Sequence, residues 1–465
     1  MKLWMAFWYC VRSLRPVFSR EATFAWFVIS VAAMCIGTDG MGVTGIIRAM
    51  GLAPSCYHLL LNFFHSDSWC ADSLTEAWTK WVVRTFGGLK VDGRRVLIID
   101  GIKIPKEGRK MPAVKSLHQE SESNSKREYI MGHSFQTIGL LAVSGALAWC
   151  VPLVSRIQEG LKFTNRDKRT LTCKVTQLVG SVLPQIGKAI LVGDAWYGCQ
   201  TIARWLLDHG HHIVTRIKDN AVGYMPPVQK SGKRGRPSKY GKKVRLKDLF
   251  KDLDGFEHAR SPHPKEDGAM IYYYCVNLLW KPLGLLVRFV AVENSKGKRW
   301  VLMSTDTKLN PLTIILLYGY RSRIEASFKA AVHTIGTYLY RFWMKDMQRI
   351  KRCSGDQHLH RKPEWYRDAI LRKLEAIHKY VAVGLVAQGI LQYLSMFFCA
   401  EVWGSFRSWM RTKPSTGYPS EATVSSALRS ALSDFLSSSD PGAPLRKILT
   451  RYIDYRIAPA YMRAV

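Results

Sequence analysis

Two short apolar segments, each ending at an aspartate, constrain the fold of this chain more than any other feature. Residues 96–100 read VLIID, and residues 189–193 read AILVG and are followed directly by Asp194. Apolar runs of this length, rich in β-branched side chains, predict short strands that are buried on both faces. Since helical segments separate these strands, we expect an α/β fold with Asp100 and Asp194 at strand ends.

The segments around the two aspartates complete a regular alternation. Three further strands and two helices are predicted, the strands at 136–144, 147–155 and 212–217 and the helices at 168–184 and 198–209. In chain order the elements read β-β-β-α-β-α-β. This is the order of an RNase H-like α/β core, so we expect such a core here.

Composition and periodicity divide the chain into five predicted regions. They are a helical DNA-binding domain at 1–92, the first part of the RNase H-like core at 93–219, a β-rich insertion with a basic loop at 220–308, a helical part of the core at 309–345, and a helical C-terminal region at 346–465. The insertion has strand-like runs at 269–276, 284–292 and 299–304. Within the first region, residues 44–64 fit either a helix-turn-helix or an ordinary helical hairpin.

The charge balance points to an anionic partner. The chain has 68 Lys and Arg against 35 Asp and Glu, a formal net charge of +33. Nucleic acid is the partner that this charge favours, because binding to phosphates neutralises the protein and releases counterions. Ribosomal and membrane-surface proteins can be equally basic.

The ten cysteines are scattered without a C-x-x-C pair, which argues against a zinc ribbon and indicates a reducing cytoplasm.

Two apolar stretches raise the question of a membrane span. Residues 22–36 are too short to cross a bilayer comfortably, and residues 380–400 are interrupted by Gln388 and Gln392. We therefore expect both stretches to be buried helices and expect no membrane partner.

A third carboxylate accompanies the two aspartates. Tyr318, Arg321 and Glu325 are spaced by three and four residues on a predicted helix, so they share one face of it. Carboxylates are the natural ligands of Mg²⁺, and two such ions can activate an attacking oxygen and stabilise a leaving oxygen in phosphodiester chemistry. The alternative is that the two aspartates merely cap the turns that follow their strands.

The segment YGYRSRIEASFKAAV, residues 318–332, resembles the signature Y-(2)-R-(3)-E-(6)-K of bacterial insertion-sequence transposases of the DDE type. Asp100 in VLIIDG and Asp194 in ILVGDAWYG match the two aspartates of that family. The resemblance covers residues 95–340. It implies that Asp100, Asp194 and Glu325 are the catalytic residues and metal ligands, and that Tyr318 and Arg321 contact DNA phosphate.

The same resemblance implies an activity and its partners. A DDE transposase cleaves DNA at transposon ends and joins those ends to target DNA, with two Mg²⁺ ions for which Mn²⁺ can substitute. Its partner is double-stranded DNA, its form in the DNA complex is a homodimer, and its location is the nucleoid in the bacterial cytoplasm. Two alternatives stay open: an RNase H-like, structure-specific DNA nuclease that cuts without joining, and an inactive DNA-binding protein derived from a transposase.

The signature is incomplete at its last position. The expected lysine falls at Val332, and Lys329, one turn after Glu325, is our candidate for the missing DNA-binding cation. The alternative for Lys329 is an ordinary ion pair with Glu325. The family also carries a tryptophan on the strand before the Glu helix that stacks on a displaced base. Trp300 matches that position, and a core tryptophan is the alternative.

A basic loop supplies further candidates for DNA contact. Residues 230–247 hold nine Lys and Arg and no acid, and their centre resembles an AT-hook. The predicted DNA-binding residues are Lys233, Arg234, Arg236 and Lys239. A solvated loop that touches phosphates without sequence preference is the alternative. Residues 103–133 are polar and basic, and we expect them to line the DNA channel near the metal ions.

Overall fold

The fold is taken from a computed structural model. The residues that it describes are 1–39, 42–119, 128–218, 220–227, 238–251, 254–266, 268–408, 413, 417–438 and 443–462.

The first region of the chain is helical, as predicted. Its five helices are α1 (Lys2–Ser13), α2 (Glu21–Ile36), α3 (Gly42–Ala49), α4 (Cys56–His65) and α5 (Ala71–Phe86). The apolar helix α2 is buried along nearly its whole length, and the pair α3–α4 coincides with the predicted helical hairpin at 44–64.

The strands are numbered in chain order, with two helices of the core between them. They are β1 (Lys90–Val91), β2 (Arg94–Pro105), β3 (Lys115–His118), β4 (Tyr129–Ser144), β5 (Leu147–Ile157), β6 (Leu161–Lys162), α6 (Leu171–Ile186), β7 (Ala189–Gly193), α7 (Gln200–Asp208), β8 (His212–Arg216), β9 (Val222–Tyr224), β10 (Lys243–Arg245), β11 (Glu257–Arg260), β12 (Met270–Trp280), β13 (Leu285–Asn294), β14 (Arg299–Ser304) and β15 (Gln357–His358). Within the described residues, thirteen of them form one sheet, and β6 pairs with β15 separately.

The centre of the large sheet has the predicted order. Strands β5, β4 and β2 are neighbours and antiparallel, whereas β2, β7 and β8 are neighbours and parallel. The structure therefore confirms the predicted α/β class with an arrangement consistent with an RNase H-like core. The predicted strand at 189–193 matches β7 residue for residue, while β2 extends the strand predicted at 96–100 by five residues, to Pro105.

Each face of the central sheet buries its own apolar cluster, because successive side chains of a strand point to opposite faces. Leu97 and Ile99 belong to the larger cluster, which includes helices α5 and α6. Val96 and Ile98 belong to the smaller cluster. The smaller cluster is covered by two helices of the next region, α8 (Pro311–Tyr320) and α9 (Ser322–Ala330).

The predicted insertion at 220–308 does not form a sheet of its own. Strand β14 pairs with β8, β13 with β14, and β12 with β13, so these strands continue the central sheet on the side of β8. The strands predicted at 269–276, 284–292 and 299–304 correspond to these three. Strand-like periodicity identified them, but the pairing with β8 joins distant parts of the chain and has no local signal.

The helical segment expected over 309–345 differs from the structure in two ways. The helix is interrupted at Arg321, where two i to i+3 hydrogen bonds separate α8 from α9. Helical structure then ends in a short π-helical turn at Ala331–Ile335, because Gly336 adopts a left-handed conformation with φ of 74°. Residues 336–363 follow as irregular chain with the short strand β15.

The C-terminal region is helical, as predicted. Its helices are α10 (Glu364–Phe397), α11 (Cys399–Ser405), α12 (Glu421–Ser430), α13 (Leu432–Ser437) and α14 (Ala443–Thr450). Helix α10 is long and apolar enough to cross a membrane, but 83% of its apolar window is buried inside the fold, as in the core helix of a globular protein. Gln388 and Gln392 are buried and donate hydrogen bonds to other elements.

The packing of α10 against α5 depends on the small size of Gly389. A methyl group at this position would overlap the indole of Trp78, a buried side chain whose Nε1 donates to the Pro152 oxygen at 2.8 Å. We expect Gly389→Ala to destabilise the protein by about 1–3 kcal/mol, because the ring cannot move without losing that bond. Gly404→Ala is the control, since nothing lies within 4 Å of its added methyl group. Equal midpoints of urea unfolding for the two variants would contradict this description of the core.

Candidate functional site

The parallel pairing of β2 with β7 places Asp100 and Asp194 at the same level. Ile98 of β2 is the register partner of Val192 of β7, and each aspartate follows two residues later. Neighbouring strands lie about 4.8 Å apart, so the two carboxylates project side by side from the sheet. Alternate residues of a strand point to the same face, so Asp100 shares a face with Val96 and Ile98. This is the face of the sheet that α8 and α9 cover.

Main-chain N–H groups hold one oxygen of each aspartate. The N–H of Gly101 donates to Oδ1 of Asp100 at 2.8 Å, and the N–H of Trp196 donates to Oδ1 of Asp194 at 2.9 Å. These bonds fix the orientation of both carboxylates and leave their Oδ2 atoms for other partners.

Arg321 connects the strand carboxylate to the helix carboxylate. Its Nη1 donates to Oδ2 of Asp100 at 3.0 Å, and its Nη2 donates to Oε1 of Glu325 at 2.6 Å. The break between α8 and α9 occurs at this arginine. The guanidinium therefore lies between the carboxylates of Asp100 and Glu325, an ion-paired arrangement that the sequence analysis did not predict.

The electrostatics of Asp100 reflect this arrangement. Burial raises the pKa of the Asp100 carboxyl from 3.8 to about 6, although Arg321 and the Gly101 N–H act to lower it. The negative charges of Asp194 and Glu325 raise it further. A buried carboxylate with two acidic neighbours favours a cation beside it, and in this structure Arg321 supplies one.

The three acids provide hard oxygen ligands of the kind that Mg²⁺ prefers. As they stand, however, no three Asp, Glu, His or Cys side chains among the described residues are close enough together to hold a metal ion. Asp100 and Glu325 instead share one cationic group, the guanidinium of Arg321. The chemistry of these carboxylates therefore suits a cation.

Further predicted residues line the same edge of the sheet. Tyr318 is half-buried, and burial raises the pKa of its hydroxyl, whereas the positive charges of Arg321 and Arg216 act to lower it. Trp300 is also half-buried; it lies at the start of β14 and packs against the same cluster as Tyr318. Part of its ring therefore belongs to the core, and its contact with DNA stays a prediction.

The sequence predictions did not include Arg216. By strand register it lies level with Asp194 on the neighbouring strand β8, and its charge affects Tyr318. The strand-end reasoning that identified the two aspartates also applies to Arg216, which ends β8. Trp196, two residues after Asp194 and 41% exposed, was also missed, and the sequence contains no signal for its exposure.

Lys329 and Val332 occupy different environments. Lys329 is exposed on α9, and among the described residues Glu325 makes its ion pair with Arg321 rather than with this lysine. Val332 is half-buried in the π-helical turn and packs against the larger core cluster. The side chain at position 332 therefore faces the core, and this explains why the residue there is apolar.

The basic loop is only partly described. Lys233, Arg234 and Arg236 lie outside the described residues, and Lys239 is exposed just after them. Of the basic residues at 103–133, Lys103 and Arg109 are exposed, but His133 is fully buried and bonded to Tyr340 and Pro112. Burial lowers the pKa of His133 to about 3, so this histidine is a neutral core residue and does not line a channel.

Comparison with known proteins agrees with this geometry. A family model described as DDE superfamily endonuclease matches residues 13–258, which is slightly more than half of the chain. The matched part contains Asp100 and Asp194 and ends before Glu325. Nucleases of this superfamily generally use divalent metal ions and act on DNA. No curated protein matches the chain.

The position of Arg321 predicts how the DNA-free protein binds metal ions. Arg321→Gln removes the cation from between Asp100 and Glu325, so we expect Mn²⁺ to bind roughly tenfold more tightly, the equivalent of about 1.4 kcal/mol. The measurement is the Mn²⁺-dependent rise in Tm, which follows the affinity of the folded state. Arg323→Gln is the matched control, because Arg323 lines a cavity between α9, β5 and α12. Equal Mn²⁺ affinity of Arg321→Gln and the parent protein would contradict the prediction.

Proposed function

We propose, from the premise that this chain belongs to the DDE superfamily of endonucleases, that it is a DNA transposase. In this proposal it cleaves DNA at the ends of a bacterial insertion sequence and joins those ends to target DNA. Two observations support the proposal: the register of β2 and β7 puts Asp100 and Asp194 at the same level, and the guanidinium of Arg321 bonds to both Asp100 and Glu325.

The proposed metal ligands are Asp100, Asp194 and Glu325, with Mg²⁺ as the ion and Mn²⁺ as a substitute. Two bound ions would supply activation of the attacking oxygen and stabilisation of the leaving oxygen. The N–H groups of Gly101 and Trp196 keep the two aspartates aligned for this role. These bonds form within the chain, so the alignment exists before DNA or metal binds.

Arg321 has two successive partners in this proposal. In the free protein its guanidinium neutralises Asp100 and Glu325, and in the DNA complex it binds a phosphate beside the scissile bond. Arginine suits both states, because its planar fork pairs with carboxylate and with phosphate alike. Tyr318 lies on the same side of the helix and is proposed to donate its hydroxyl to the DNA backbone. Trp300 is proposed to stack on a displaced base.

The assembly and location of the protein follow from the proposed reaction. Two transposon ends are joined in one event, so we propose a homodimer that holds two DNA ends and carries two active sites. The net charge of +33 supports binding to the DNA of the nucleoid in the bacterial cytoplasm. Lys233, Arg234, Arg236 and Lys239 are proposed to contact DNA through the basic loop.

The first test concerns the three acids. Asp100→Asn, Asp194→Asn and Glu325→Gln should each abolish Mg²⁺-dependent cleavage of element-end DNA and leave DNA binding intact, because each removes a metal ligand without adding bulk. Asp208→Asn, an exposed acid at the end of α7, is the control and should cleave normally. Near-normal cleavage by any one of the three variants would remove that residue from the active site.

The products of the same reaction separate the candidate functions. Joined products, in which a cut end is attached to target DNA, support a transposase. Cut ends without joining would indicate a structure-specific nuclease, and binding without cutting would indicate a DNA-binding protein derived from a transposase.

The second test concerns Lys329, which is proposed to replace the missing signature lysine. Its exposed side chain on α9 can reach a phosphate beside Glu325. We expect Lys329→Ala to weaken end binding or strand transfer roughly tenfold, as loss of a charge-assisted contact should. The control is Lys308→Ala, an exposed lysine just before α8 at the opposite edge of the sheet. If Lys329→Ala and Lys308→Ala both equal the parent in end binding and strand transfer at limiting DNA, Lys329 has no role in DNA binding.

A further inference from the structure

Two loops that follow the proposed catalytic elements are joined to each other. One is residues 106–110, which follow β2 and hence Asp100. The other is residues 341–352, which follow α9 and hence Glu325. Main-chain N–H groups of the second loop donate to main-chain oxygens of the first, Met344 to Lys110 at 2.9 Å and Ile350 to Arg109 at 2.8 Å. We refer to the two loops together as the flanking surface.

A buried lysine strengthens the junction. Lys106 donates to the main-chain oxygens of Tyr338 and Tyr340 at 2.6 and 3.0 Å, and its ammonium lies 3.9 Å from the centre of the Tyr340 ring. These contacts tie the end of β2 to the chain that leads into the second loop. The flanking surface is therefore fixed to β2, which carries Asp100, and to the chain that follows α9, which carries Glu325.

The second loop is strongly basic and open to solvent. Residues 341–352 contain one acid, Asp346, and five cations, all exposed, which are Arg341, Lys345, Arg349, Lys351 and Arg352. Within the part of the chain that the structure describes, none of these five side chains forms a salt bridge with a carboxylate of the protein. Such a set of cations is complementary to a polyanion, and duplex DNA presents a phosphate charge about every 1.7 Å along its axis.

An aromatic side chain accompanies the cations. Trp343 is 71% exposed, and with Arg341 and Lys106 it lines a groove of about 710 Å³. Thr44 of α3 and Tyr57 of α4 also line the groove. Exposed aromatic rings among cations are typical of nucleic-acid surfaces, where the ring packs on a sugar or a base.

The length of β2 between Asp100 and the start of the flanking surface fits a duplex that continues past the site. Strand β2 runs five residues beyond Asp100 to Pro105, which is about 16 Å of extended chain. This equals about five base pairs of duplex at about 3.4 Å each. We propose that the flanking surface binds the DNA backbone about five base pairs from the cut, an inference that rests on the proposed function for the position of the cut.

The test is the salt dependence of DNA binding without divalent metal. We expect the double variant Lys345→Gln/Lys351→Gln to bind a 30-base-pair duplex more weakly and to flatten the slope of log K against log [KCl] by up to about 1.8, because each phosphate contact contributes about 0.9. The control is Lys90→Gln/Lys188→Gln, which removes the same charge from exposed lysines beside Arg95, at the edge of the sheet opposite the carboxylates. Its slope should stay close to that of the parent.

A second variant provides an independent result. Trp343→Ala should weaken binding roughly fivefold or more with no change in slope, because stacking involves no counterion release. If the two lysine pairs flatten the slope equally, or if neither the lysine variant nor Trp343→Ala weakens binding, the proposal is wrong.

The binding assay is independent of catalysis. A parent protein that binds through this surface but never cuts DNA would leave the flanking surface intact and overturn the proposed function. A parent that cuts normally, with binding insensitive to these variants, would overturn the flanking surface alone.

Discussion

The parallel pairing of β2 with β7 is the constraint on which the candidate site depends. Asp100 and Asp194 are 94 residues apart in the chain. The register that pairs Ile98 with Val192 brings them to the same level of one sheet. Both strands are buried on both faces, so a shift of one residue would move each apolar side chain out of its own cluster and into the packing of the opposite face. The energy that fixes the register of the core therefore also fixes the spacing of the carboxylates.

Placing three acids together creates an electrostatic problem that Arg321 relieves. Asp100 is half-buried and has two acidic neighbours, and burial raises its pKa to about 6 although the guanidinium acts to lower it. One arginine is bonded to both Asp100 and Glu325 and so offsets part of their negative charge. In the proposed function this arginine leaves the carboxylates when they bind metal ions, and a DNA phosphate is a suitable competing partner. In this account DNA binding and metal binding are coupled, because both depend on the position of a single side chain.

Local sequence signals predicted the strands of the core well, and the bounds of β7 were predicted to the residue. Asp100 and Asp194 lie at or just after strands, as the apolar runs indicated, while the catalytic role of Asp100, Asp194 and Glu325 stays a prediction. Each of these features depends on the pattern of a few neighbouring residues in the chain.

Features that depend on distant residues were missed. The helix break at Arg321 comes two residues after Gly319, a weak local signal, and it coincides with the bond from the Arg321 guanidinium to Asp100 in a remote strand. The pairing of β14 with β8 and the junction of residues 341–352 with residues 106–110 also join distant parts of the chain. Helical periodicity over 309–345 could not reveal the left-handed Gly336 that ends the helical structure, because glycine in other contexts continues a helix. Arg216 is an exception, since strand-end reasoning was sufficient to find it.

The measurement that tests the central claim most directly is a crystal structure of the protein with Mn²⁺ and duplex DNA, with the metal located by its anomalous scattering. The account predicts a Mn²⁺ peak about 2.1 Å from carboxylate oxygens of both Asp100 and Asp194. It also predicts that Glu325 has joined the ligands and that the Arg321 guanidinium has moved to a phosphate. A Mn²⁺ ion bound elsewhere, or a complex in which Arg321 still bridges Asp100 and Glu325 beside bound DNA, would contradict it.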